Sequence, residues 1–360
     1  IMIGAAFFAM RARTRFQAVV LVGVTGYGMA AIFALHGAPD LALTQALVET
    51  VTLIAFVLVI RRLPQRITLR ASRWKRWVRA AIGGAVGLTI GALVLISMAA
   101  RSADPISLQL PELAYLGGHG ANVVNVMLVD IRGWDTMGEL SVILAAATGV
   151  ASLVFLRTRV DTLPKLGRRD ARLQVQEHIR RVNDPKDPVE RRTWLLAGRN
   201  LDPSRRSILL EVVVRLIFHA LILLSFYLLL VGHNSPGGGF AGGLVAGLAL
   251  VARYLTGGRD ELGATVPVDA GRILGAGLAL AATMAILPLF FGQAALSSAW
   301  IDLDLGPLGT LPLVTSTFFD IGVYLVVFGL VLDVLRSLGA EIDRQEEDDL
   351  ETALDETATS

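Results

Sequence analysis

Glu49 stands in the middle of an apolar run, Pro39 to Ile60, that reads PDLALTQALVETVTLIAFVLVI. A helix of that length, at about 1.5 Å per residue, measures roughly 33 Å and crosses a bilayer core of about 30 Å. The carboxylate then falls near the midplane, where insertion of an acid costs about 2.5–3.5 kcal/mol. An acid kept at that depth faces protein or a water-filled cavity, where it can take up a proton or a cation and release it. Gln45, Glu49 and Thr52 stand at i, i+4 and i+7 and share one helix face; Asp40 and Thr44 extend the polar strip towards the helix start. No Lys or Arg lies three or four residues from Glu49, which favours a relay role over a local ion pair.

Other ionisable groups recur at depth. Glu211, Arg215 and His219 follow one another at four-residue spacing, a ladder on one helix face. One reading is a buried proton or ion relay, in which Arg215 favours the charged carboxylate and the imidazole exchanges protons near neutral pH. The other is a structural clamp, with Glu211 and Arg215 paired at the helix end and His219 bonded to a neighbouring helix. Both stay open on spacing alone. Glu139, four residues after Asp135, lies near the outer end of its span within reach of water, where a structural or entry role and a relay role stand about equal. Asp320 and Asp333 lie near opposite ends of the last span, where charge is cheap.

The run GHNSPGGGFAGGLVAG places Gly239, Gly243 and Gly247 at four-residue spacing, a face that lets two helices approach closely. Pro236 and the glycine triplet would also suit a broken helix start, and close packing is the preferred reading. The glycines precede no Lys-Ser/Thr pair, so a phosphate-binding loop is not expected. Cysteine is absent, and the five histidines, at 36, 119, 178, 219 and 233, are scattered. Neither a metal site nor nucleophilic catalysis nor a bound cofactor is expected of this chain.

The elements that must hold these groups are membrane helices. Of 360 residues, 54% are hydrophobic, and the mean hydropathy of +0.60 is too high for a soluble domain of this length. The fold class is all-α and polytopic, with full spans at about 16–36, 39–60, 79–100, 136–157, 208–231, 238–256, 270–291 and 316–337. The start, IMIGAAFFAM, reads as the end of a truncated helix, so the intact polypeptide is expected to extend upstream. Basic residues alternate with the spans: three Arg in 11–15, eight Lys/Arg in 61–79 and fourteen in 157–206, against none in 36–38, 232–237 and 292–315. Retention of positive charge on the cytoplasmic side puts the C-terminus in the cytoplasm, with membrane lipid around the spans and no nucleic acid partner. The stretch His119–Trp134 reads as an interfacial helix on the outer face, because another crossing would invert every later loop.

The polar segment 158–207 reads as a cytoplasmic linker with a short amphipathic helix at 173–182, and the acidic tail 339–360 as solvated and mobile. The expected organisation is a helix end and basic loop at 1–15, membrane modules at 16–78 and 79–157, the linker, a third module at 208–338, and the tail.

Three of these motifs resemble a known family. GAPDLALTQALVETVTLIAFVLVIRRLP resembles the MbhD-like segment in the C-terminal part of the large A-type component of Mrp-type multisubunit cation/proton antiporters. ANVVNVMLVDIRGWDTMGELSVILAAATGVASLVF resembles the MbhE-like segment that follows it. GHNSPGGGFAGGLVAG with FFDIGVYLVVFGLVL is similar to the B-type component of the same complexes. The resemblance implies a fusion of the end of the A-type component to a B-type module, without the large antiporter-like domain that opens the A-type component. It implies an ion-translocating subunit of a hetero-oligomer in the plasma membrane, exchanging Na⁺ for H⁺, with Glu49 and Glu139 on acidic positions of the family's motifs. The chain would then be a secondary transporter subunit and not an enzyme. A structural or assembly subunit, and the membrane arm of a hydrogenase- or complex I-like redox pump, are the alternatives.

Overall fold

The computed structural model describes residues 1–60, 72–100, 102–158, 208–304, 306 and 310–359, and most of them are helical. The long apolar runs become α1 (Met2–Arg11), α2 (Arg15–Leu35), α3 (Pro39–Ile60), α4 (Arg73–Ala99), α5 (Gly133–Thr158), α6 (Ile208–Val231), α7 (Gly238–Thr265), α8 (Ala270–Ile286) and α9 (Ser316–Thr359). Seven stretches among the described residues are long and apolar enough to cross a membrane. The remaining expected span, 136–157, falls within the 26-residue α5, whose side chains are described only in part. Local chemistry sets the helix starts. Thr14 caps α2 by accepting from the Gln17 N–H at 3.2 Å, and Asp269 caps α8 by accepting from the Arg272 N–H at 3.1 Å. Gly37, at φ +72°, makes the turn from α2 into α3, which Pro39 opens at a position where its missing N–H costs nothing.

The chain forms two compact units, Ile1–Gly117 and Gly118–Ser360. In the first, α1 packs on α2 and α2 on α3, while no residue of α4 is buried. In the second, α9 is the central helix, with α5, α7 and α8 packed on it and α6 packed on α7. The contrast in burial is large: 72% of the α7 span is covered within the chain, against none of α4 and 6% of α3. Small residues allow the tight crossings. An added Cβ at Gly243 would meet Val327 Cβ at 2.9 Å and the Tyr324 carbonyl oxygen at 3.0 Å, and one at Gly247 would meet Val331 at 2.8 Å. Gly277 of α8 and Gly322 of α9 likewise bring their backbones together, with 2.7 and 2.8 Å from an added Cβ to the other's carbonyl oxygen.

Four features depart from the sequence reading. Residues 118–158 pack with the later helices, so the compact units divide at 117–118, whereas the expected linker lies at 158–207. That linker's expected amphipathic helix falls outside the described residues. The stretch His119–Trp134 is not one interfacial helix. It is a helical turn at Val123–Val126 leading into a wider π-helical turn at Met127–Ile131, with Asn122, Asn125, Val126 and Val129 buried. A two-stranded antiparallel hairpin, β1 (Trp300–Asp304) and β2 (Thr310–Val314), interrupts the all-helical pattern where the alternation WIDLD favours a strand. The acidic tail continues α9 to Thr359, because residues 340–359 include five Glu and three Ala and contain neither Gly nor Pro.

Gly243→Ala is expected to destabilise the second unit by about 1–3 kcal/mol through overpacking. Gly275→Ala, on a face of α8 with open space, should be neutral or stabilising. Denaturant unfolding of the two variants in detergent checks the ranking.

Candidate functional site

In the first unit the polar strip of α3 meets a glycine pair on α2. Glu49 is half-buried, and its carboxyl group occupies the space that a Cβ at Gly26 would fill; its Oε1 is 3.4 Å from the Cβ position of Gly23. Both partners lie at mid-helix, Glu49 eleventh in α3 and Gly26 twelfth in α2. One residue along, the Tyr27 and Thr50 hydroxyls are 2.7 Å apart, which ties α2 to α3 beside the carboxyl group. Asp40 is buried at the helix start, Thr44 donates to its carbonyl at 2.8 Å, Gln45 is half-buried and Thr52 is exposed. The strip therefore runs from a buried end to an open one.

The second unit buries a different acid. Asp320, in the second turn of α9, accepts from the Gly239 N–H at 2.8 Å and from Asn125 Nδ2 at 3.1 Å. Gly239 is the second residue of α7, where backbone N–H groups have no partner within the helix and the helix dipole favours an acid. The Asn122 side chain donates to the Gly232 and Ser235 carbonyls, each at 2.9 Å, and accepts from the Val124 and Asn125 N–H groups. His233 Nε2 lies 2.9 Å from the Gly118 carbonyl, and the His119 ring stacks on Trp300 at 3.7 Å. These bonds fasten the 118–126 segment to the α6–α7 turn and to α9. Deeper along α9, the Tyr324 hydroxyl is 3.1 Å from Ser225 of α6.

A third group of charges lies towards the other end of α7. Arg253 pairs with Glu261 and sits over the Phe218 ring, 4.4 Å from its centroid. Eight residues of straight helix would separate the two by about 12 Å. The pair forms because the helix bends at Gly258, whose φ of 64° and ψ of −153° are those of glycine.

The ladder Glu211, Arg215, His219 does not act as one face. Glu211 is buried, whereas Arg215 and His219 are exposed on this chain, and His219 Nδ1 bonds the Arg215 carbonyl of its own helix at 3.0 Å. A step of four residues turns a helix by about 400°, so eight residues rotate the ladder by about 80°, enough to carry it from the covered to the open side. Glu139 is also exposed, and Asp135 pairs with Arg132. Gly239 lies under Asp320, while Gly243 and Gly247 face Tyr324, Val327 and Val331. Position along the span puts Asp320 where charge is cheap; it is instead buried, because Gly239 and Asn125 satisfy both of its oxygens. Spacing alone passes over Gly26, Tyr27, Asn125, Arg253 and Glu261. The signal for Gly26 is the glycine series of VTGYG, opposite the one mid-span acid.

Fold and buried acids together define a multi-pass helical membrane protein. Its residues 1–65 match the MbhD family and residues 72–164 the MbhE family, which are described as the D and E components of MBH. Residues 209–333 match the domain related to the MnhB subunit of Na⁺/H⁺ antiporter. The chain thus carries an MbhD, an MbhE and an MnhB domain in that order. It is 31% identical over 335 residues to a probable K⁺/H⁺ antiporter A/B component of Rhizobium meliloti, covering 90% of this chain and 32% of that protein. It is 37% identical over 167 residues to the A component of a Na⁺/H⁺ antiporter of Bacillus subtilis, covering 46% of this chain and 21% of that one. Among solved structures, a chain of the Mrp complex from Dietzia superposes with a TM-score of 0.73 at 30% identity, over 94% of this chain and 34% of its own length. The chain therefore spans about a third or less of the relatives it matches.

Asn125→Ala removes one of the two donors to Asp320 and is expected to destabilise the second unit by about 1–3 kcal/mol. Asn125→Asp, which sets a second carboxyl group beside the first, should cost more. Thermal unfolding of the purified variants tests the order.

Proposed function

We propose that the chain is a membrane subunit of a multisubunit monovalent cation/proton antiporter of the plasma membrane, exchanging Na⁺ for H⁺ with other subunits of the complex. It is a secondary transporter component and not an enzyme. The observation that carries this reading is the Glu49 carboxyl group, held at mid-helix against Gly26 and flanked by Gln45 and the Tyr27–Thr50 hydroxyl pair. A carboxyl group there can alternate between proton and cation, the step on which exchange depends. Gln45, Thr52 and Asp40 extend the path along α3. In the second unit, Glu139, Glu211, Arg215 and His219 are the ionisable groups assigned to ion or proton movement. The names of the relatives support the assignment, and they divide between Na⁺ and K⁺ as the cation.

Exposure supports the partner subunits. Glu139 and His219 lie within span-length helices yet are uncovered on this chain, as is all of α4. Polar groups at that depth require a protein or water surround, and helices of other subunits would provide it. The same observation favours a second reading, an assembly subunit whose acids pair locally while its open helices brace a transporting partner.

Glu49→Gln separates the two. In inverted vesicles carrying the full complex, it is expected to abolish Na⁺- and K⁺-dependent proton exchange while the subunits still copurify; unchanged exchange favours the assembly role. The charge asymmetry of the sequence supports an orientation with the C-terminus and the basic stretch 61–79 in the cytoplasm and the α6–α7 turn outside. The sequence has no Cys, so single cysteines report sidedness cleanly. A membrane-impermeant maleimide applied to whole cells should label Ser235→Cys and spare Ser72→Cys; the reverse pattern overturns the orientation.

A further inference from the structure

We infer that Gly26 is a positioning residue for Glu49: the missing side chain on α2 is the seat that fixes where the carboxyl group stands in the membrane. The inference rests on the antiporter reading above and extends it to a residue that makes no contact with an ion. Three observations converge on the seat. A Cβ at Gly26 would overlap Glu49 Oε2 and Cδ and come within 2.9 Å of Cγ, so the side chain lies against the α2 backbone. Gly23, one turn earlier on α2, is buried under the other oxygen and under Leu53, so the seat is two glycines long. The Tyr27–Thr50 hydroxyl pair, 2.7 Å apart, locks the two helices in this register immediately beside it.

A glutamate has three side-chain torsions and on an open helix surface would move its carboxyl group over several ångströms. Here the α2 backbone at Gly23 and Gly26 lies directly against it, near the middle of both helices. Any side chain at position 26 must push the carboxyl group out of this place. Gly28, two residues on, is the internal contrast, because an added Cβ there meets only the flexible Met2 side chain of α1.

The test uses the full complex in inverted vesicles, with cation-dependent proton exchange and copurification read in parallel. Gly26→Ala is expected to lower the exchange rate at least tenfold. Combining it with Glu49→Asp, whose side chain is one methylene shorter, should restore a substantial part of the rate, although Glu49→Asp alone is impaired. Gly28→Ala should exchange like the unaltered complex. If Gly26→Ala fails to assemble, Gly26→Ala combined with Glu49→Ala is expected to assemble again, because the overlapping group is gone. Unaltered exchange in Gly26→Ala overturns the inference, as does a defect that neither shortening nor removing the Glu49 side chain relieves, which would mark Gly26 as a packing residue only. Should Glu49→Gln itself exchange normally, the antiporter reading of Glu49 fails first, and the relief of assembly by Glu49→Ala still decides whether Gly26 seats the side chain.

Discussion

Each unit of this chain seats one carboxyl group against a glycine of a facing helix, where no side chain competes for the space. An added Cβ at Gly26 would coincide with the Glu49 carboxyl group, whereas one at Gly239 would meet the Asp320 backbone carbonyl first and its Oδ1 at 2.7 Å. The two seats differ in what they offer. Gly239 stands at a helix start and presents a free N–H, so Asp320 is bonded and fixed. Gly26 stands at mid-helix, where its N–H belongs to the helix ladder, so the seat shapes the space around Glu49 without saturating its oxygens. A fully bonded acid fastens elements together, while an acid in a shaped but less satisfied place remains able to exchange what it binds.

The difference extends to the whole of each unit. Around Asp320, α7 and α9 are largely enclosed, and the glycine face of α7 is filled by Tyr324, Val327 and Val331. The helices around Glu49 are open, and α4 carries Gly83, Gly84, Gly87 and Gly91 with no atom near any of them. In water such exposure would be unstable, but in a bilayer apolar faces need no cover, and only polar groups demand it. The first unit thus leaves most of its helix surface open, and the second encloses chiefly α7 and α9.

Much of this is legible in the sequence. Long apolar runs and the basic clustering between them give the long helices, since hydrocarbon thickness and backbone hydrogen bonding leave few other solutions; seven of the eight expected spans are found among the described residues. The place of Glu49 at the middle of α3, eleventh of 22 residues, follows from counting. What cannot be read is which groups meet across the fold. Asn125 and Asp320 are 195 residues apart, and no periodicity links them. Arg253 and Glu261 are close only because Gly258 bends the helix, and a spacing of eight argues against contact in a straight one. The ladder at 211, 215 and 219 fails for the opposite reason, because spacing that matches over one step drifts over two.

Sequence families and physical packing also divide the chain at different places. The MbhE match covers residues 72–164, yet the compact units part at residue 117, within that match. The cause lies in the next few residues: Asn122 and Asn125 spend their amides on the α6–α7 turn and on Asp320, and α5 packs along α9. Hydrogen bonds of buried amides are costly to leave unmade, so residues 118–158 follow the MnhB-type helices wherever these go. The residues on which the MbhE match ends are in this way held to the MnhB-matched helices by packing and by buried hydrogen bonds as well as by chain connectivity.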